Sequence, residues 1–480
     1  MLTKTLWGLF LLACVNFSAE AWERTYGEIG TDDVANIAST LDRGFVLAET
    51  VHPPGSNSSD VLVRKLNGNG ELVWLKRFDR DSYDVAVKIL PIDDGGYMLI
   101  SNSRPNWYVD YDSVRIWLLR LDSSGDMVWT RIIGSGQYTA SSSIVQTRDG
   151  NYLIGAETNF FSPIYYHFNP WLILLNSDGD SIWTRHLSIE TDLMFPLLAN
   201  ESIEGTFQFC GNSGGAIWLT KFNTLGDSLG TRYYRRGERQ CYANKIITLS
   251  DGGCAICGVW GGPDLPPEME AWILRLDSDG DTVFDKVFAS NNPNFDAAMD
   301  LITNSDNVFW IVGTFCSPDW RDSDVWAFRL DSEGTWITGR TFGGTQLDRG
   351  RSIIRTSNGD FVIAGNTCSY DDSLGDCYVV RFDSLGNSTP EIVESSLGEH
   401  PARVTVFFND DNLSLSISVP RPTPIHLTLL NSLGQTVLPL ADRTMPAGET
   451  RLEIPLPKLA EGVYVIDSRG ALPITRVVVW

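Results

Sequence analysis

The chain has 480 residues, 43% of them hydrophobic, and a formal net charge of −23 at pH 7. This length exceeds that of one ordinary small domain, and the apolar content is sufficient for a large core, so a disordered chain is not expected. Strong negative charge repels phosphate backbones and anionic lipid headgroups. Nucleic acid and anionic membrane surfaces are therefore not expected partners.

The first 21 residues contain a lysine, an apolar run over residues 6–15 and an Ala-Glu-Ala sequence at residues 19–21. These features predict a secretory signal peptide that is cleaved before Trp22. An alternative is a lipoprotein box in which the thiol of Cys14 is acylated. No other segment of the sequence is long and apolar enough for a transmembrane helix, so we expect none in the mature chain.

A turn glycine recurs at nearly constant spacing from residue 70 to residue 386, with intervals of 55, 54, 47, 54, 54 and 52 residues. An apolar run precedes each glycine, and an aromatic residue often follows four positions later, as Trp129 follows Gly125. A turn-forming tetrapeptide between two such runs predicts a tight hairpin. The turn glycines are Gly70, Gly125, Gly179, Gly226, Gly280, Gly334 and Gly386.

Each repeat contains four strand candidates, and each strand type occurs seven times between residues 22 and 386. Seven sets of four strands predict an all-β, seven-bladed β-propeller. After Gly386, Pro390 interrupts the place where another Trp-type strand would run. The missing copy of that strand is Trp22–Tyr26, so we expect the N-terminal strand to complete the last blade and to close the ring. The Asp-x-x-Gly-x-x-x-Trp sequence resembles the tryptophan docking motif of quinoprotein propellers, and the resemblance implies docking between blades. The paired vicinal cysteines that accompany the quinone cofactor in that family are missing from this sequence, so we do not expect that cofactor.

Residues 387–400 are acidic and Ser-rich and predict a linker. Residues 401–480 alternate apolar and polar positions in several short runs, which predicts a small antiparallel β-sandwich. Landmarks such as the turn at residues 431–435, the Leu-Ala-Glu-Gly-Val-Tyr sequence at residues 459–464 and the Arg-Val-Val-Val-Trp terminus come in a defined order.

The order of these landmarks resembles the C-terminal sorting domain of type IX secretion cargo. The resemblance implies export through the periplasm to the outer cell surface or the medium of a Gram-negative cell, with a translocon and a sortase as partners. The opening Tyr-Pro-Asn-Pro sequence of that family is missing here. The positions that match its signal are Gly434, Gly462, Tyr464 and Arg476.

Export leaves seven cysteines in an oxidising compartment, so an odd one remains. Cys368 and Cys377 stand at the two feet of one hairpin loop and are candidates for a disulfide bond. Cys254 and Cys257 lie three apart in a strand and so point to opposite faces, which favours core packing over a metal site. Cys210 occupies the same repeat position as Cys257, and we expect both to be small apolar fillers.

The sequence around Ser213 is similar to the nucleophile loop of serine proteases, but no histidine stands in a recognisable general-base motif, so we predict no catalytic residue there. The acidic turns at residues 176–180 and 277–281 have the glycine at the fourth position, whereas an EF-hand loop has it at the sixth. They are therefore predicted as hairpin turns that could bind calcium adventitiously. We expect no metal site and no cofactor.

The long, variable loops all fall on one predicted rim of the ring, which we call the long-loop rim. Aromatic side chains beside carboxylates suit binding of a sugar or a protein surface. The alternative is that these rings fold back onto the blades. The candidate ligand-binding residues are Trp107, Tyr108, Tyr111, Phe160, Phe161, Tyr165, Tyr166, Trp260 and Trp320.

These features favour an exported, non-enzymatic propeller that binds a glycan or a protein through the long-loop rim. A second hypothesis is a polysaccharide hydrolase or lyase with its site in the central channel. Clustered channel carboxylates with one raised pKa would favour that hypothesis. A third is a structural protein of an external layer. The sequence identifies no substrate, because a fold alone does not determine function.

Overall fold

The computed structural model describes residues 22–27, 31–53, 55–81, 83–105, 113–134, 138–159, 168–189, 196–261, 269–289, 295–304, 306–316, 322–370, 375–383 and 392–394, and seven further C-terminal strands. All regular elements of the described residues except one short turn are β-strands, which confirms the all-β class. In this part of the chain no helix is long and apolar enough to cross a membrane.

The repeat region forms seven sheets, which we call blades 1 to 7 in chain order. Six of them contain four antiparallel strands that are consecutive in sequence, and the seventh combines three consecutive strands with the N-terminal strand. Blade 1 contains β2 (Thr31–Ser39), β3 (Phe45–His52), β4 (Asp60–Leu66) and β5 (Leu72–Phe78). Blade 2 contains β6 (Tyr83–Pro91), β7 (Tyr97–Arg104), β8 (Arg115–Leu121) and β9 (Met127–Ile133). Blade 3 contains β10 (Thr139–Gln146), β11 (Tyr152–Thr158), β12 (Asn169–Leu175) and β13 (Ser181–His186). Blade 4 contains β14 (Leu198–Glu201), β15 (Phe207–Ser213), β16 (Ala216–Phe222) and β17 (Ser228–Tyr234).

The remaining three blades follow the same order. Blade 5 contains β18 (Gln240–Thr248), β19 (Cys254–Gly261), β20 (Met269–Leu276) and β21 (Thr282–Phe288). Blade 6 contains β22 (Ala297–Thr303), β23 (Phe309–Cys316), β24 (Ser323–Leu330) and β25 (Trp336–Phe342). Blade 7 contains β26 (Asp348–Arg355), β27 (Phe361–Thr367), β28 (Asp376–Phe382) and the N-terminal strand β1 (Trp22–Tyr26).

The first strand of each blade is the innermost one. Each of these inner strands contacts the inner strand of the next blade, and β26 contacts β2, so the contacts run once around a closed ring. The second and third strands are buried on both faces, as in β3 and β4, whereas the fourth strand is largely exposed, as in β17. This confirms the predicted seven-bladed propeller.

The N-terminal strand closes blade 7. β1 pairs antiparallel with β28, with Trp22 opposite Arg381 and Tyr26 opposite Cys377. A further strand, β29 (Ile392–Glu394), pairs parallel with the other edge of β1. The sequence predicted this part of the chain as a linker, so the fifth strand is a feature that we did not expect. It covers an edge that would otherwise offer unpaired backbone groups.

Aromatic side chains of the outer strands dock onto the turn glycines of the next blade. A β-carbon on Gly70 would lie 2.8 Å from Cη2 of Trp22, and a β-carbon on Gly125 would lie 2.8 Å from Cη2 of Trp74. Both glycines also have positive φ, +78° and +80°, which other residues rarely adopt. These turns therefore need glycine for two reasons: glycine adopts a positive φ, and it leaves room for the indole of the neighbouring blade.

Two blades depart from this arrangement. Gly230 occupies the aromatic position in blade 4, and the hydroxyl of Tyr234 instead donates a hydrogen bond of 2.8 Å to the carbonyl of Gly280. In blade 6 the ring of Trp336 stacks on Phe328 of its own blade at a centroid distance of 5.2 Å and is 43% exposed. Thr338, opposite Arg329, occupies the docking position of this blade, as Trp74 opposite Lys65 does in blade 1.

No disulfide bond joins any of the seven described cysteines. Cys210, Cys254 and Cys257 are almost fully buried between blades, which confirms the predicted packing role. The predicted bridge between Cys368 and Cys377 is absent. Cys377 lies opposite Asn366, two positions from Cys368, and such diagonal neighbours are about 7–8 Å apart, beyond the usual disulfide range.

The described C-terminal strands form two separate antiparallel sheets. One contains β30 (Arg403–Asn409), β31 (Asn412–Val419) and β34 (Gly448–Pro455). The other contains β32 (Thr423–Asn431), β33 (Thr436–Met445), β35 (Gly462–Asp467) and β36 (Thr475–Val479). Apolar side chains of both sheets, including Leu413 and Leu427, share one buried cluster.

Candidate functional site

The hairpins at one rim of the ring are short. In the turn between β4 and β5, Oδ1 of Asn67 accepts hydrogen bonds of 2.9 Å from the backbone N–H groups of Asn69 and Glu71. The same pattern holds Asp281 to Asp277, and Asp178 and Asp180 to Asn176. The two acidic turns considered for calcium are therefore hairpins whose first side chain is already occupied by backbone donors.

Most predicted ligand-binding residues of the long-loop rim lie outside the described residues. These residues are Trp107, Tyr108, Tyr111, Phe160, Phe161, Tyr165, Tyr166 and Trp320. Trp260 is described, and it lies on β19. Its indole N–H donates a hydrogen bond of 2.8 Å to the carbonyl of Arg236, and the guanidinium carbons of Arg236 and Arg239 lie 5.6 and 4.8 Å from its ring centroid. Trp260 is therefore packed against its own blade beside two cations.

A buried carboxyl group lies on the second strand of blade 3. Glu157 is 7% exposed, its Oε1 accepts a hydrogen bond of 2.9 Å from the hydroxyl of Tyr138, and its Oε2 has no partner. In other blades the equivalent side chains bond the inner strand of the next blade, as Asn102 bonds Ser141. Burial raises the pKa of Glu157 to about 7, and the hydrogen bond from Tyr138 opposes this effect.

We expect Glu157→Gln to stabilise the protein at pH 8 and to have a much smaller effect at pH 5. The pKa of Glu157 is higher in the folded state than its usual 4.5, so stability falls as the pH rises from about 4.5 to about 7. The penalty at pH 8 is about 3 kcal/mol, since each pKa unit corresponds to about 1.4 kcal/mol. Thermal unfolding at both pH values measures the difference, and Glu333→Gln, an exposed turn residue, is the control. An equal effect at both pH values would contradict the assignment.

Three carboxylates meet at the junction of blades 1 and 2. Oxygen atoms of Asp60, Asp79 and Asp84 lie within 4.8 Å of one another, an arrangement that could hold a cation. However, Asp60 forms an ion pair with Arg77, and Oδ2 of Asp84 accepts the backbone N–H groups of Arg80 and Asp81. No sequence motif indicates this cluster, because Asp60 and Asp84 come from two different blades. These hydrogen bonds and this ion pair hold the loop between blades 1 and 2 in place.

A ring of bulges lines the central channel. The pairing of the inner strand with the second strand shifts by one residue in six blades, so that one extra residue is inserted in each inner strand. Bulges re-aim side chains and are frequent beside functional sites. We define the bulge ring as the inserted and following residues Ala35–Asn36, Val87–Lys88, Ser142–Ser143, Asn244–Lys245, Met299–Asp300 and Arg351–Ser352.

Most of the side chains that follow a bulge bind a neighbouring inner strand. Oδ1 of Asn36 accepts a hydrogen bond of 2.8 Å from the N–H of Ile89, and Oγ of Ser143 accepts one of 2.9 Å from the N–H of Ala199. The Lys245 ammonium lies 2.5 Å from Oδ1 of Asp300. These contacts connect adjacent blades at the same height in the channel.

Both carboxylate oxygens of Asp300 already accept hydrogen bonds. Its Oδ1 accepts the Lys245 ammonium and the N–H of Leu301, and its Oδ2 accepts the N–H of Ile353 and the hydroxyl of Ser352, each at 3.0 Å. The bulge ring thus carries three cations, Lys88, Lys245 and Arg351, and one carboxylate, which is fully engaged. Two free carboxylates facing each other, which most glycosidases need, do not occur among the described residues of this ring.

Comparisons with known proteins assign no family to the chain. No known family and no curated protein matches the sequence. Among solved structures, the chain is similar to a protein of unknown function from Bacteroides caccae, with 12% identity, a TM-score of 0.38, and coverage of 62% of this chain and 94% of that one. It is also similar to the α-L-arabinofuranosidase Arb93A from Fusarium graminearum, with 8% identity, a TM-score of 0.44, and coverage of 76% and 97%. Sqt1 from Chaetomium thermophilum shows 10% identity, a TM-score of 0.41, and coverage of 72% and 81%.

Proposed function

We propose that the protein is an exported, non-enzymatic binding protein that recognises a glycan or a protein surface through its long-loop rim. The observation that carries the proposal is the chemistry of the bulge ring below that rim, in which cations outnumber carboxylates and Asp300 is saturated by four donors. Binding needs no acid and base pair, whereas hydrolysis of a polysaccharide does.

Glu157 does not support the hydrolase hypothesis by itself. Its raised pKa suits a general acid, but burial causes the shift, and no neighbouring carboxylate contributes to it. A glycosidase would need a second carboxyl group about 5–10 Å from Glu157 with access to the substrate. Glu157 is 7% exposed, so the described residues leave it little access to a sugar.

A screen of glycans and cell-surface proteins against the full mature chain tests the proposed function. We expect a ligand whose affinity falls by about tenfold in Trp107→Ala or Trp320→Ala, because stacking on an indole contributes on the order of 1–2 kcal/mol. Trp336→Ala is the matched control, since this indole is 43% exposed on an outer strand, away from the long-loop rim. Equal affinity of all variants, or no ligand in the screen, would refute the proposal.

We also propose that residues 401–480 form a sorting β-sandwich of the type IX kind, which brings the chain to the cell surface or the medium through the periplasm. Two sheets with one shared apolar cluster support this assignment. Gly462 begins β35, Tyr464 lies on the same strand, and Arg476 lies opposite Val465 on the neighbouring strand β36. Gly434 lies outside the described residues. Removal of residues 401–480 should leave the protein in the periplasm, and normal export of the truncated chain would refute the sorting role.

A further inference from the structure

Lys88 is an exception in the bulge ring. Asn36, Ser143, Lys245, Asp300 and Ser352 stand at the equivalent positions, and each makes a hydrogen bond or an ion pair with a neighbouring inner strand. The structure gives Lys88 no hydrogen bond and no ion pair with any described residue. Its side chain is only partly exposed to water. A partly buried ammonium without an acceptor loses solvation and gains nothing in return.

Lys88 follows the bulge on the inner strand β6. Besides burial, the charge of Lys245 lowers the pKa of the Lys88 amine, and the charge of Asp300 raises it. Lys88 comes from blade 2, and Lys245 and Asp300 come from blades 5 and 6, on the opposite side of the seven-membered ring. An ammonium on blade 2 can approach these two groups only across the channel. Because Asp300 is already paired with Lys245, it does not neutralise Lys88.

A second cation without a partner adds to the positive charge. Arg351 is the inserted residue of the blade 7 bulge, and no hydrogen bond or ion pair joins it to any described residue. The charges that act on its guanidinium are the attractive one of Asp33 and the repulsive one of Arg349. The bulge ring therefore has two more cations than carboxylates, in a chain whose net charge is −23. Positive potential in a narrow, low-dielectric passage attracts and holds small anions more strongly than a flat surface does.

We propose that the bulge ring is a binding site for a single anionic group, a carboxylate or a phosphate, which accepts a hydrogen bond from the ammonium of Lys88. Lys245 and Arg351 add favourable potential, and Asp300 keeps Lys245 in place. The surrounding negative charge of the protein disfavours polyanions, so the ligand is a small anion or the anionic end of a longer molecule. The site lies inside the ring and does not depend on the long-loop rim or on the proposed function.

The charge on Lys88 makes binding dependent on pH. Burial, together with the like charge of Lys245, lowers the pKa of Lys88 to about 7, and Asp300 opposes this shift. The ammonium form is the one that donates to an anion. Affinity for acetate, whose own charge is constant above pH 6, should therefore decrease as the pH rises from 6 to 8.5.

The experiment uses the full chain with sodium acetate and inorganic phosphate as probes, against sodium chloride at equal ionic strength. Thermal unfolding and calorimetric titration are measured for the wild type and for Lys88→Met, which keeps the side-chain length and removes the charge. Lys286→Met removes the same charge from an exposed position on the outer strand β21 and is the matched control. We expect acetate or phosphate to raise the melting temperature of the wild type and of Lys286→Met but not of Lys88→Met.

The affinity should fall by about tenfold or more in Lys88→Met, since a hydrogen bond to a charged group contributes about 1.5–3 kcal/mol. A larger effect of phosphate than of acetate, or the reverse, identifies the preferred group, and either result supports the site. Lys88→Met should itself unfold no earlier than the wild type in chloride, because it removes an unpaired ammonium. The same anion effect in Lys88→Met and in the wild type, or no anion effect in the wild type, would overturn the proposal.

Discussion

Replacement of Arg64 by Met should lower the free energy of unfolding by about 3–5 kcal/mol, because it leaves a carboxylate buried without its partner. Arg64 donates from Nε and Nη2 to the two oxygens of Glu49 at 2.9 and 3.0 Å, and the two side chains are 2% and 0% exposed. The ring of Tyr26 on β1 lies 5.1 Å from the guanidinium carbon. The ion pair is thus located where the N-terminal strand meets blade 1.

Chemical denaturation of Arg64→Met measures this loss. The double variant Arg64→Met/Glu49→Leu removes both charges and should recover most of the stability, because an apolar pair of similar volume is often as stable as a buried ion pair. Arg232→Met removes an exposed pair with Asp281 and should change the stability far less than Arg64→Met, because solvent screens exposed ion pairs. If Arg64→Met lowered the free energy of unfolding no more than Arg232→Met does, the buried ion pair would not stabilise this junction.

Trp22→Ala should destabilise the protein by about 3–5 kcal/mol, the usual range for loss of a large buried ring. Trp22 is 4% exposed, and its indole packs on Gly70 of blade 1. The same substitution at Trp336, an exposed indole on the outer strand of blade 6, is the control. Trp336 is 43% exposed, so Trp336→Ala should cost no more than about 1.5 kcal/mol. Similar losses in the two variants would show that docking of Trp22 does not stabilise the closed ring.

The fold could be predicted from the sequence because the same turn and strand pattern recurs in every blade. Seven copies of a turn glycine and a following strand gave the number of blades, and the absence of a Trp-type strand after Gly386 indicated that Trp22–Tyr26 completes blade 7. The docking of Trp74 on Gly125 follows from the same spacing. The fifth strand at Ile392–Glu394 was not predicted, because an acidic, Ser-rich segment carries no strand pattern and its pairing depends on the exposed edge of β1.

The candidate site was less accessible, for a physical reason. A bulge adds one residue to an inner strand and so changes which side chains face each side of the sheet. The residue pattern does not show where a bulge occurs, so the sequence alone did not identify Lys88 and Arg351 as bulge residues. Lys88 and Asp300 are also remote in sequence, and the charge of Asp300 acts on Lys88 only because the ring closes. The disulfide prediction failed for a related reason, since loop length indicated proximity but not the register that sets Cys368 diagonal to Cys377.

The central claim is that the N-terminal strand is an integral strand of blade 7 in a closed ring of seven blades. Native-state amide hydrogen exchange of residues 22–26 tests it most directly. The account predicts that these amides exchange as slowly as those of β28, their pairing partner, because both would open only with the ring. Rapid exchange of residues 22–26 while β28 remains protected would contradict it.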